Sequence, residues 1–434
     1  MHYADSEEDW RTESALMSEV YRHSRVNIAA TAAADSQGGL FFDRDSTDLV
    51  SIQPLPLKLE SSSDGPGINN CPPGDYFLVD ADKTAMLELS PLNRRGWVLQ
   101  ERLLSLRIIH FAEKQLHWEC VESMSCEGIS TLRHEAFYST SVQEIRDILH
   151  GPKVTTPTLQ DPTPYVSSNW YSMYFVPWSL FVQKYTLCGL TEDRDKLVAI
   201  HGIVKELEKK IGDKFFAGHW MAQLPASLCW YVPISGSRSD AVEVRRPRQW
   251  RAPSWSWAAL NMPICNLTPI VNNSRISKLV QVSAPQHSNG ELISGRIRLE
   301  GSLFTANLTP TCQGDSCSRV ENSVARYLSH LGIGDSEVVT ICNALVYQDD
   351  HTSLSKFFLM PITGSKQRPD DSECSVDCLI LIPTDLERGV FLRRGLVMLR
   401  LWDSYENIFS GIQQPRDSLL ECGSAWNENV IEII

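Results

Sequence analysis

The 434-residue sequence has no apolar run long enough to cross a bilayer, and its first residues, MHYADSEEDW, are acidic where a secretory signal is basic and then apolar. Both absences lead to the expectation of a cytoplasmic protein without a membrane span. Basic charge is short as well: 40 Lys and Arg against 53 Asp and Glu leave a net charge of -13, which provides no electrostatic footprint for wrapping nucleic acid or gripping an anionic surface. No phosphate loop, dinucleotide fingerprint, GxSxG elbow or HExxH pair occurs, so the usual routes to phosphoryl transfer, nicotinamide redox chemistry, serine hydrolysis and zinc hydrolysis lose their motifs. The twelve cysteines include no CxxC spacing, and the close pairs Cys312 with Cys317 and Cys374 with Cys378 lack histidine partners. Free thiols are expected rather than metal ligands.

What is present reads as an α+β chain of several parts. WRTESALMSEVYRHSR (Trp10 to Arg25) spaces Trp10, Met17, Val20 and Tyr21 as an amphipathic helix with Asp9 as its cap. VNIAATAA then reads as a short buried strand ending in the turn DSQGG. Residues 45–90 form an irregular insertion inside a first unit spanning 1–130. Leu92 to Leu104 is a second helix with Gly96 as an internal weakness, and RIIHF and QLHWECV are two strands of a hairpin. Residues 131–169 read as a linker whose part 150–169 is rich in Pro and Ser, and 170–262 as a helical, Trp-rich region in which FFAGHW and LPASLCWYV supply further core helices. Short turn-separated runs of β-formers make 275–434 a β-rich C-terminal domain.

The strings with chemical potential are few. In RRGWVLQERLLS, Glu101 stands four residues after Trp97. A carboxylate in a partly dry pocket can hold a ribose hydroxyl or exchange a proton, and the indole can raise its pKa or stack on a ring. Alternatively, Glu101 pairs with Arg94, Arg95, Arg102 or Arg107 and only fixes the helix. Trp10 and Glu13 repeat the indole and acid partnership at a spacing of three on the first helix. Arg44, in FFDRD, could meet a polar ligand near the strand exit or simply occupy a charged turn. Trp255 and Trp257 in RAPSWSWAA wedge an interface or stack on a ligand.

Taken in order, DWRTESALMSEVYRHSRVNIAATAAADSQGGLFFDRD and RRGWVLQERLLSLRIIHFAEKQLHWEC resemble two blocks of the fungal heterokaryon incompatibility (HET) domain proteins. DRDKLVAIHGI, AGHW, LPASLCWY and RAPSWSWAA are similar to segments that follow the domain in those proteins. Family members carry two further blocks upstream, so the resemblance implies a HET domain lacking its N-terminal half. It also implies a partial α/β domain of Toll/interleukin-1 receptor (TIR) type, and a role in nonself recognition and regulated cell death through homotypic assembly and protein partners. Some TIR domains cleave NAD through a glutamate in a Trp-Cys-x-x-Glu string, and Trp97 to Glu101 keeps that spacing with Val98 in place of cysteine. By that resemblance Glu101 is the catalytic candidate. Trp97, Trp10, Glu13 and Arg44 are pocket candidates, and NAD is a substrate rather than a redox cofactor.

Overall fold

The computed structural model describes residues 6–44, 55–58, 75–78, 87–127, 129–132, 140–151, 168–233, 247–266, 274–308, 324–327, 331–333, 341–348, 356–366, 374–401 and 430–434. The chain divides into two compact units, one of Met17–Pro152 and one of Met1–Leu16 with Lys153–Ile434. The division falls within the first helix, α1 (Glu7–His23). That helix starts a turn earlier than its apolar spacing suggests. Its first-turn donor, Asp9 N, bonds to Ser6 Oγ at 3.1 Å, so Ser6 rather than Asp9 is the capping side chain.

In the unit Met17–Pro152, β1 (Asn27–Ala29) is an edge strand, and the hairpin of β2 (Leu55–Lys58) with β3 (Asp75–Leu78) stands within the expected insertion. Most other residues of that insertion lie outside those described. The predicted helix from Leu92 breaks at Arg95, whose backbone is extended (φ -94°, ψ 132°) between a 3-10 turn, Leu92–Arg94, and α2 (Gly96–Leu104). Gly96 is therefore the first residue of a helix rather than a weak point inside one. Val98, Leu99, Leu103 and Leu104 face the core, and the helix stops at Ser105, whose N–H and hydroxyl both donate to Glu101 O.

The predicted hairpin follows as β4 (Arg107–Phe111) and β5 (Leu116–Cys120), with Ile109 opposite Trp118. Then come β6 (Met124–Cys126) and β7 (Ile129–Leu132), in the order β1-β4-β5-β6-β7. Only the β1–β4 pairing is parallel, with Ile28 opposite Ile109, and the other three are antiparallel. The expectation of a buried β1 is corrected: Ile28 is 59% exposed, because an edge strand of three residues has a neighbour on one side only. Inside the stretch read as a linker, α3 (Thr140–His150) brings Ile145 and Leu149 into the core and bonds to α2 through His150 Nε2 and Leu103 O at 2.8 Å.

The other unit begins its helical part with α4 (Ser168–Thr186), α5 (Asp195–Val198) and α6 (His201–Ile211), the last closed by Gly212 in the left-handed region at φ 73°. FFAGHW is a hairpin, not a helix. Phe215–Phe216 and His219–Trp220 pair across Ala217 (φ 46°) and Gly218 (φ 104°). LPASLCWYV forms one 3-10 turn, Ala226–Leu228, and a two-residue strand. The aromatic residues are nevertheless core: Trp220, Trp230, Trp255 and Trp257 are buried, with Trp230 Nε1 donating to Trp255 O and Trp257 Nε1 to Gly218 O. Trp255 and Trp257 do not alternate along a strand, because Ser256 caps a 3-10 turn at Trp257–Ala259.

The β-rich expectation for the C-terminal part agrees with an eleven-stranded sheet among the described residues, centred on Lys356–Lys366, Cys374–Asp385 and Val390–Leu401. Six cysteines in the described residues are free, Cys229 and Cys378 of them buried, whereas Cys312 and Cys317 lie outside those residues. No helix among the described residues is long and apolar enough to cross a membrane.

Candidate functional site

Within the unit Met17–Pro152, a cavity of about 180 Å³ opens where the end of α1, strand β1, helix α2 and strand β4 converge. Tyr21, Asn27, Asn93, Glu101, Arg102 and His110 supply its polar wall, and Ile28, Val98 and Ile108 an apolar one. Ala29 and Ala30 leave the space, as small residues at a strand exit allow. Glu101 reaches the cavity from the same face of α2 as Val98, three residues before it, and is half-buried where Leu99 and Leu103 are fully buried. Burial pushes its carboxyl pKa up, while a hydrogen bond from the Tyr21 hydroxyl and the charge of Arg95 oppose that rise. Tyr21 is itself raised, first by burial and then by the charge of Glu101 and their shared hydrogen bond. The pair is thus a carboxyl of increased proton affinity beside a phenol that stays a donor.

Behind the cavity lies a buried ionic network. Glu119, 1% exposed, accepts from Arg102 Nε and His110 Nε2 at 2.8 Å each and pairs with Arg146 Nη1. Burial alone would push Glu119 up, yet Arg102, Arg146 and the bond from His110 hold it well below the usual carboxylate range. Arg102 also meets Glu88 at 2.8 Å, and Arg146 Nη2 donates to Ser105 O at 2.8 Å, which ties α2, α3 and the hairpin together. His110 is held low by burial first, against the pull of Glu119, and its Nδ1 lies 3.1 Å from the Thr31 hydroxyl. With Nε2–H directed at Glu119, Nδ1 of the neutral ring accepts from Thr31.

Of the side chains singled out in the sequence, Glu101 lines the cavity and Trp97 and Arg44 do not. Trp97 is half-buried on α2, and Arg44 Nη1 pairs with Glu127 Oε2 at 2.7 Å. Trp10 and Glu13 belong to the other unit, where Arg194 stacks on the Trp10 ring at 4.2 Å and Glu13 is exposed. Arg102, one of four proposed partners of Glu101, turns to Glu119 and Glu88 instead, and Arg95 acts on Glu101 through its charge.

Tyr21, Thr31, His110, Glu119 and Arg146 were not singled out in the sequence. A signal for two of them existed. In RIIHF and LHWEC the buried slots hold Ile108, His110, His117 and Glu119, while Ile109 and Trp118 take the half-exposed ones. A hairpin that places polar residues inward and apolar ones outward marks a buried polar site. No group of three or more His, Cys, Asp or Glu side chains among the described residues is arranged to hold a metal ion.

Comparison with known families bears on the same segment. Residues 3–101 match the heterokaryon incompatibility protein (HET) family. The match runs to Glu101 and includes Tyr21 and β1, whereas His110, Glu119 and Arg146 lie beyond it. Comparisons with curated proteins and with solved structures give no match.

Proposed function

We propose that this HET-domain protein acts in heterokaryon incompatibility, promoting regulated cell death after nonself recognition between fused fungal cells. The observation that carries this reading is the HET match over residues 3–101. The protein would act in the cytoplasm, through protein partners that include further copies of itself, and not on nucleic acid, in keeping with its net charge of -13. Expressing the full chain in fungal hyphae and scoring dye-permeable compartments tests it. Death above the level of an empty vector is expected, and full viability at matched protein levels would refute it.

A second reading is favoured by the cavity at Glu101: cleavage of NAD by a TIR-like glycohydrolase. Nicotinamide would leave with the electron pair of its bond to the ribose, generating an oxocarbenium-like sugar. Glu101 would hold the ribose hydroxyls and stabilise that developing charge, and water would then attack the sugar carbon and lose a proton. At about 180 Å³ the cavity is smaller than the roughly 300–1,000 Å³ of most small-molecule sites. It suits one ring of the dinucleotide, with the remainder outside. Nicotinamide release by the full chain, and its loss in Glu101→Gln, tests this chemistry.

A further inference from the structure

Strand register brings an imidazole to the cavity. On β4, His110 lies directly opposite Ala29 of the parallel strand β1 and takes a buried slot, as Ile108 does. Ala29 and Ala30 are too small to cover it, and His110 forms part of the cavity wall. Its two ring nitrogens have different partners. Nε2 lies 2.8 Å from Glu119 Oε2, and Glu119 does not line the cavity. Nδ1 is on the β1 side, 3.1 Å from the Thr31 hydroxyl, which is itself 3.3 Å from Ala29 O.

We propose that His110 is the proton acceptor of this cavity, taking through Nδ1 the proton that water loses when it attacks the sugar carbon, with Glu119 and Thr31 as its positioning residues. The proposal rests on the reading of the cavity as a site of NAD cleavage.

In that step a lone pair of the water oxygen forms the new bond to the sugar carbon. The electron pair of the broken O–H bond stays on oxygen, and the proton passes to Nδ1. Glu101 is committed to the ribose hydroxyls, so the proton needs another acceptor in the same wall. Glu119 also accepts from Arg102 Nε and Arg146 Nη1, which fixes its carboxylate in place. A fixed carboxylate keeps the ring proton on Nε2 and leaves Nδ1 as the basic nitrogen. Thr31 serves both protonation states. Its hydroxyl donates to Nδ1 of the neutral ring; once it turns to Ala29 O, the Nδ1 lone pair is open, and after transfer Nδ1–H donates to Thr31 Oγ. Neither end state leaves a hydrogen bond unmade, which counts where Thr31 and His110 are almost wholly buried. Burial lowers the proton affinity of His110; Glu119 opposes that effect, and Arg102 and Arg146 reinforce it. The ring is therefore neutral and able to accept. A base this weak is matched to its task, because water that has bonded to a cationic sugar carbon is a strong acid.

The test compares two fates of the same sugar. Water must lose a proton on attack, whereas added 3-acetylpyridine attacks through its ring nitrogen and loses none. With the full chain, hydrolysis of NAD and exchange of its nicotinamide for 3-acetylpyridine are measured together. His110→Gln is expected to raise the ratio of exchange to hydrolysis about a hundredfold, the low end of what a general base contributes. Thr31→Val, which keeps the shape and removes the hydroxyl, is expected to raise it about fivefold, since a charged ring gains more from that hydrogen bond than a neutral one, and Thr31→Ser to restore it. The ratio does not depend on the folded fraction, so a destabilised variant still gives an answer. An unchanged ratio in His110→Gln, with the two rates intact or lowered alike, overturns the proposal and marks His110 as structural. If His110→Gln does not fold, equal ratios in Thr31→Val and Thr31→Ser overturn it. An unsubstituted chain that neither hydrolyses NAD nor exchanges its nicotinamide refutes the NAD reading, and the proposal falls with it; hydrolysis that persists with an unchanged ratio refutes the proposal alone.

Discussion

Glu119 and Glu101 show how differently one side-chain type behaves in two surroundings. Glu119 is enclosed by Arg102, Arg146 and His110 and stays ionised, whereas Glu101 has a phenol and a more weakly acting Arg95, and its proton affinity rises. Removing the charge of Glu119 leaves two buried guanidinium groups without their shared anion. Glu119→Gln is accordingly expected to cost about 3–5 kcal/mol, read as a lowered midpoint in urea unfolding. A loss below about 1 kcal/mol would mean that the network contributes little beyond its own desolvation. Glu101→Gln removes a half-buried carboxyl that the fold does not hold in an ion pair among the described residues, and its melting temperature should stay close to that of the unsubstituted chain. Glu101 was legible in the sequence through its spacing from Trp97. Glu119 was not, because HWEC reads as an ordinary strand until the inward positions are known to be the polar ones.

At the scale of elements, local pattern succeeded where neighbours in sequence decide the outcome and failed where a single backbone conformation does. Helix α6 follows its apolar period, and the β4–β5 hairpin and the C-terminal strands follow their turn-separated β-formers. FFAGHW has the aromatic content of a core helix, yet Ala217 and Gly218 at positive φ fold it back on itself. Gly218 is needed for space as well as for φ: a Cβ there would lie 2.5 Å from Trp257 Nε1, which donates to Gly218 O. Gly218→Ala should therefore destabilise by roughly 1–3 kcal/mol and alter tryptophan fluorescence in the folded state. A neutral effect would mean that the turn and Trp257 shift together at little cost. The helix α3 was obscured by the Pro- and Ser-rich residues beside it, although TSVQEIRDILH places Val142, Ile145 and Leu149 on one face and Arg146 at the ionic network.

Over the whole molecule, buried titratable groups couple stability to pH. Burial lowers His117 and His201 to about 4 and His219 to about 3. A histidine held low in the folded chain takes up its proton more readily when unfolded. Its contribution is complete above the unfolded value of roughly 6.5 and is lost as pH falls toward the folded one. Asp377 has the opposite sign: burial raises it to about 6, so its contribution is present in acid and is lost as pH rises through that value. Three histidines outweigh one aspartate, and a net loss of several kcal/mol is expected between about pH 6.5 and 4. Urea midpoints at neutral pH and near pH 4.5 measure it, and a midpoint that rises on acidification would contradict the assignment of neutral buried imidazoles. The presence of a β-rich C-terminal part was legible from composition and turns. Its assembly into one eleven-stranded sheet was not, since strand order depends on pairings between residues far apart in sequence.

The most direct test of the account is nicotinamide release from NAD by the purified full chain, compared with Glu101→Gln and with Glu13→Gln as a control on an exposed acid of α1. The account predicts release that persists in Glu13→Gln and falls at least about a hundredfold in Glu101→Gln, the size of effect seen when one preorganised transition-state contact is removed. Release that is equal in all three chains, or absent from a well-folded unsubstituted chain, would contradict it and leave the cavity at Glu101 without the proposed chemistry.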